Sequence, residues 1–287
     1  VGTRISYLWD GIHIVTTFAI LAFVVPHIVL IVVRDLRART TAILGPVLAA
    51  ARYYGWGALL STVVFFALVG LGVYAYQPVN FNNEFSPDYS FKYGEDRPFA
   101  PSLAQTDTGM AFDQRVLSGS KSCGTAGCHE QIVEEWEVSA HRYAAMDVGF
   151  RKIQLTMAEQ NGPESTRYCG GCHDPISLFS GTKNLFTDPE ELSSLDGYQE
   201  GVSCLACHAI KETDLEGNAH YVVTQTDRYL FEVEYNETQG EFARFLRDFL
   251  IRAYPRYHVD SLSKRLFKAP QYCAACHKQF IDEEINR

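Results

Sequence analysis

Four short stretches constrain this chain more than anything else in it: Cys123-Gly-Thr-Ala-Gly-Cys128-His129, Cys169-Gly-Gly-Cys172-His173, Cys204-Leu-Ala-Cys207-His208 and Cys273-Ala-Ala-Cys276-His277. Three follow C-x-x-C-H, the spacing of c-type haem attachment, and the first carries two further residues in its loop. In that chemistry two thiols form thioethers with one porphyrin and the adjoining His binds the iron. Together the four stretches use all eight cysteines. A zinc site or a redox dithiol would explain paired cysteines. Neither explains a His after every pair, which chance would give roughly once in a million such chains under the motif reading. Four covalently bound haem c groups are therefore expected. They would form most of the core of residues 121–287, with little regular secondary structure around them.

The charge divides the chain. Residues 1–78 hold five Arg, no Lys and two acids, a net +3, while the rest holds 20 basic and 32 acidic residues, a net −12. The acidic part lacks the basic footprint of a nucleic-acid binder. Between Asp10 and Arg34 lie 23 uncharged residues, and a second apolar run follows Arg52. Each is long enough for a hydrocarbon core of about 30 Å. The small residues Gly57, Ala58, Ser61, Gly70 and Gly72 would allow close helix packing. The first run is too long for a cleavable signal and has Arg behind it. Two transmembrane helices, about 11–33 and 55–76, are expected within an anchor of residues 1–76. Arg34, Arg37, Arg39 and Arg52 against Asp35 place their connection in the cytoplasm. Everything after the second helix then lies in the periplasm, the side of a bacterial membrane on which c-type haem is attached.

Residues 77–120, rich in Pro, Asn and aromatics, read as an extended periplasmic arm. The pattern turns helical from Glu130 to Gln160, with Ile132, Val133, Trp136 and Ala140 at helical spacing. Further helices are expected at 240–253 and 278–287. A β stretch at 219–234 reads as a hairpin turning at Thr226-Asp227. The fold class is mainly α.

The motifs give His129, His173, His208 and His277 as proximal iron ligands. His141, His220 and His258 remain in the acidic part as candidate distal ligands, three for four irons. The fourth iron could take Met110, Met146 or Met157, a His of another subunit, or nothing. Met ligation raises a haem potential, and an open position would admit substrate.

The run Ser122-Cys123…Cys128-His129…Trp136…Ser139-Ala140-His141…Ala144 resembles the opening motif of the tetrahaem cytochrome c family of nitrifying bacteria. The resemblance covers roughly residues 120–280 and implies a distal-ligand role for His141. In layout, a membrane anchor joined to four haems is similar to the NapC/NirT family of quinol dehydrogenases, which has one anchoring helix where two are expected here. These resemblances imply electron transfer between the quinone pool, or a partner membrane complex, and a periplasmic redox protein. The alternative is a reductase acting on a small nitrogen or sulfur oxyanion at an open haem.

His13 and His27 fall inside the first apolar run. At 100° per residue their 14-residue separation is about 40° short of four turns, so both rings face nearly one side, about 21 Å apart along the axis. That arrangement is similar to the His pairs that hold b haems. The partner imidazoles would come from a second copy of the helix or from another membrane subunit. The plainer reading leaves His13 at the interface and His27 hydrogen-bonded to a neighbouring helix.

Overall fold

The computed structural model describes residues 7–37, 45–75, 81–184, 189–226, 252 and 255–280. The chain forms two compact units, Val1–Gln77 and Pro78–Arg287.

The first unit holds two 31-residue helices, α1 (Tyr7–Arg37) and α2 (Gly45–Ala75). Both extend beyond the apolar runs, because the helical ladder continues into polar residues once nucleated. Arg52, expected in the connection, lies inside α2. Pro26 sits within α1 without ending it. Among the described residues one segment, Thr16–Arg34, has the length and composition to cross a membrane. An apolar helix of this kind near an N-terminus is an anchor or a signal. Two spans were expected, and one such segment is found among the described residues. The described side chains of this segment are almost all exposed, Phe23 at 79% among them.

The second unit is built from short helices: α3 (Gln114–Leu117), α4 (Glu130–Glu137), α5 (Val148–Asn161), α6 (Arg167–His173), α7 (Pro175–Phe179), α8 (Pro189–Ser194), α9 (Asp196–Glu200), α10 (Cys204–His208), α11 (Pro255–Leu262) and α12 (Pro270–His277). A 3-10 helix, Ser120–Gly127, precedes α4. The only sheet among the described residues is small and ordered β1-β3-β2, from β1 (Gln105–Thr106), β2 (Ile210–Thr213) and β3 (Tyr221–Val223). β1 runs parallel to β3, and β2 runs antiparallel to it. The strand expected from residue 219 is β3, but its hairpin partner is the preceding β2. The expected turn at Thr226-Asp227 and the helix at 240–253 extend outside the described residues. Helix does not continue into 278–280, since α12 ends at His277.

Residues 81–120 have little regular structure and pack into this unit. Their Phe99, Ala104, Phe112, Val116 and Leu117 join Ile176, Leu178, Phe179, Tyr221 and Val223 in one buried cluster. Side-chain caps start the short helices: Asp113 accepts from Arg115 N–H, Asp147 from Phe150 N–H, Asp174 from Ser177 N–H and Ser203 from Ala206 N–H. Each is worth about 1 kcal/mol, a large share of the stability of so short a helix.

The helical stretch expected at 130–160 breaks between Glu137 and Val148, and the break has a purpose. Trp136 donates its indole N–H to Val202 O at 2.9 Å. The Ser139 hydroxyl donates to Trp136 O, and Val202 N–H donates to His141 O. The Trp-x-x-Ser-x-His turn is thereby docked on residues 201–202, just before the third Cys-His stretch. Gly201 has φ +53°, and a Cβ there would lie 2.6 Å from His141 O and 2.7 Å from Arg142 O. Gly201→Ala should therefore cost on the order of 2–3 kcal/mol from backbone strain and close approach. The expected fall in unfolding temperature of the haem-loaded protein is about 5–10 °C. An unchanged melting curve by circular dichroism would contradict the docking.

Candidate haem-binding site

Three of the four Cys-His stretches are helices that end on their His: α6, α10 and α12. This follows from helical geometry. Residues i, i+3 and i+4 share one face, so two thiols and an imidazole project to the same side. The i+4 N–H also bonds the i carbonyl. The first stretch reaches the same closure differently. His129 N–H donates to Cys123 O at 3.0 Å across the longer loop. Gly124 packs on Val133 of α4, where a Cβ would stand only 3.0 Å from the Val133 Cβ.

The four stretches are drawn together. Glu200 accepts from Gly119 N–H (2.7 Å) and Ser120 N–H (3.0 Å), and the Ser120 hydroxyl donates to it and accepts from Cys204 N–H. Ser203 O–H donates to Leu117 O while capping α10. First and third stretches thus lie side by side, and the thiols of Cys123 and Cys204 hydrogen-bond, which holds the Cys204 thiol below its ordinary value. On the other side Tyr221 O–H donates to Gly171 O at 2.6 Å and Ala219 N–H donates to Ala275 O at 2.8 Å. Those two bonds tie the second stretch to the fourth, where Cys172 and Cys276 also hydrogen-bond. Burial pushes the Cys207 thiol, near Cys276 and Cys273, up to about 12.

The histidine rings supply the fit test for haem. Two imidazoles bound to one metal from opposite sides, each at about 2.0–2.1 Å, place their centroids about 6 Å apart. The His129 and His258 centroids are 6.2 Å apart with 23° between planes, and those of His141 and His277 are 5.9 Å apart at 70°. His173 stacks on Phe150 at 4.2 Å and 8°, and its Nδ1 is 3.3 Å from Ala144 O. His208 lies against Phe267, with Nδ1 2.9 Å from Leu262 O. A carbonyl holding Nδ1–H leaves Nε2 for the iron, the usual outer partner of a ligating His. Desolvation holds His129, His173 and His208 below the ordinary imidazole value, in the neutral form that binds metal. Exposed Ile132, Val138, Val148 and Ile153 on and around α4 and α5 offer the apolar surface a porphyrin face requires. The residues fit the group.

Among the described residues, His220 is not brought to a motif histidine. Its Nδ1 lies 2.9 Å from Asp214 Oδ2 and 3.2 Å from Glu216 Oε2. Met146 Sδ accepts from Arg142 at 3.7 Å. Met110 is 44% exposed, and Met157 lies on α5. His13 and His27 lie in α1 of the other unit.

Residues 122–209 match the family described as cytochrome c554 and c-prime. Over residues 122–209 the chain has a multihaem c-type cytochrome domain. The match spans the first three Cys-His stretches together with Trp136 and His141; the fourth stretch, His220 and His258 lie beyond it. No curated protein and no solved structure matches the chain. A cytochrome c554 domain implies c-type haem and electron transfer, and c-type cytochromes are extracytoplasmic.

Several residues shaping the site carry no sequence signal. Phe150, Glu200, Ala144 O and Leu262 O reach their partners across long separations. Asp214 and Glu216 precede His220 by six and four residues, and that local D-x-E-x-x-x-H pattern was legible. Replacing both cysteines of any one stretch by Ala should lower covalent haem by one group per chain, read by intact mass and haem absorbance. A variant retaining the full parental haem content would contradict the assignment of that stretch.

Proposed function

We propose that the chain is a membrane-bound tetrahaem c-type cytochrome that passes electrons between the quinone pool, or a partner membrane complex, and a periplasmic redox protein. The observation that carries the proposal is the gathering of four Cys-His stretches around two imidazole pairs at the spacing of opposed ligands. Bound haem supplies one-electron ferric/ferrous chemistry, and the chain's own residues decide which irons are closed to other reactions. His129 with His258, and His277 with His141, would hold two of them closed. His220 belongs to neither pair; its Nδ1–H is held by Asp214.

In this proposal α1 anchors the chain in the bacterial inner membrane and the acidic unit lies in the periplasm. The apolar segment Thr16–Arg34 of α1 supports it. The −12 net charge after residue 78 favours a basic docking partner, through steering that weakens with salt.

A second reading has a specific observation behind it. A cavity of about 310 Å³ is lined by Val148, Leu155 and Leu195 together with Arg151, Lys152, Lys183 and Asp174, the residue after His173. Lys183 is buried and paired with Asp174 at 3.0 Å. An apolar chamber with cationic groups, lined by the residue that follows His173, suits a small nitrogen or sulfur oxyanion, so a reductase is the alternative.

Electron paramagnetic resonance on the purified ferric protein separates the two. Transfer alone is expected to leave the signals unchanged by cyanide or nitrite, whereas a shifted high-spin signal would favour the reductase. His258→Ala and His141→Ala should each convert one low-spin haem to high-spin, independently of the other. Loss of the same signal in both variants, or of neither, would overturn the pairing.

A further inference from the structure

The haem unit leaves two metal-ligating side chains unused, His13 and His27 in α1. Both are exposed, as are nearly all the described residues between them, so α2 does not cover that face of the helix. His27 lies inside the apolar segment Thr16–Arg34 and His13 three residues before it, and ionisable groups at or near membrane depth are costly and call for a partner. The hydroxyls of Thr16 and Thr17 lie close by but donate to the His13 carbonyl, at 3.0 and 2.8 Å. α1 runs as one helix from before His13 to beyond His27, passing through Pro26. The 14-residue register therefore holds: both imidazoles face one side to within about 40°, at levels about 21 Å apart.

We infer that His13 and His27 bind two b-type haems between α1 and the same helix of a second copy of this chain. The inference rests on the membrane reading of α1. Imidazole is the commonest metal ligand. A closed bis-imidazole iron needs two rings at one depth. Residues 1–78 contain no His besides these two, and α2 contains none. A second copy with the same topology, related by a two-fold axis along the membrane normal, matches both depths at once. His13 meets the partner's His13, and His27 meets the partner's His27, as an isologous interface requires. Each iron would alternate between ferric and ferrous by one electron, with no atom transferred. The pair would thereby carry electrons between the two membrane faces, and a quinol releasing two electrons and two protons would be their donor or its quinone their acceptor.

The stoichiometry distinguishes this arrangement from others. Two haems shared by two chains give one b haem per chain, a b-to-c ratio of 1:4. Ligands from a different protein or segment give two per chain, a ratio of 2:4. Pyridine haemochrome analysis of the full-length, detergent-purified protein reads this ratio directly. The expected result is 1:4, with His13→Ala and His27→Ala each removing half of the b haem and leaving the c haem unchanged. A ratio of 2:4 would overturn the second copy as partner, and 0:4 would overturn the site. Extraction of the membranes at alkaline pH keeps the two readings apart. Protein released by the wash contradicts the membrane reading itself, whereas protein retained without b haem contradicts only this inference.

Discussion

The proposed function depends on one covalent constraint: two thiols and an imidazole, all from one short stretch, would have to reach one porphyrin from the same side. One turn of helix satisfies it at i, i+3 and i+4, which is why α6, α10 and α12 are short and end on histidine. The first stretch, with its longer loop, satisfies it through the His129–Cys123 backbone bond. Around that constraint the chain spends its polar groups on anchoring the stretches to one another. Glu200 and Ser120 hold one pair, and the 217–221 segment holds the other. Ala219 is central to the second. It sits at φ +62°, and a Cβ on Gly171 would come within 2.6 Å of the Ala219 Cβ, so Gly171 is required for that approach.

Buried charge follows the same logic. Arg167, two residues before Cys169, is wholly enclosed, yet its guanidinium donates to Pro98 O and Ser90 O and lies 4.4 Å from the centre of the Tyr89 ring. It fastens the second stretch to residues 81–100, and desolvation only lowers its pKa from a very high value. Asp174 both caps α7 and pairs with Lys183 immediately after His173. The ligand backbone is thereby fixed from both sides, the support a metal ligand needs to hold its orientation.

Much of the site was legible in the sequence because its spacing is local. Cysteine pairs, the following His and the Trp-x-x-Ser-x-His turn are all read within a few residues. Helix breaks and pairings were less legible because they arise over distance. Residues 130–160 carry one helical pattern, but the break at 138–147 exists because Trp136 and His141 dock on Val202, some 60 residues away. β3 pairs with β2 rather than with later residues because segment 217–221 is pinned to Ala275 and Lys278. The partners of His141 and His258 were not readable at all, since ring pairing depends on how separate helices come together. Residues 81–120 lack any periodic pattern, so their role in the core with Phe99 and Phe112 showed only in three dimensions.

The central claim is that this unit is organised around four irons, two of them held between named imidazoles. Locating iron by anomalous scattering in crystals of the haem-loaded protein tests it most directly. The expected map has four iron peaks within residues 78–287, one between His129 and His258 and one between His141 and His277. Fewer than four peaks, or a peak at a motif histidine with a different imidazole opposite, would contradict the account.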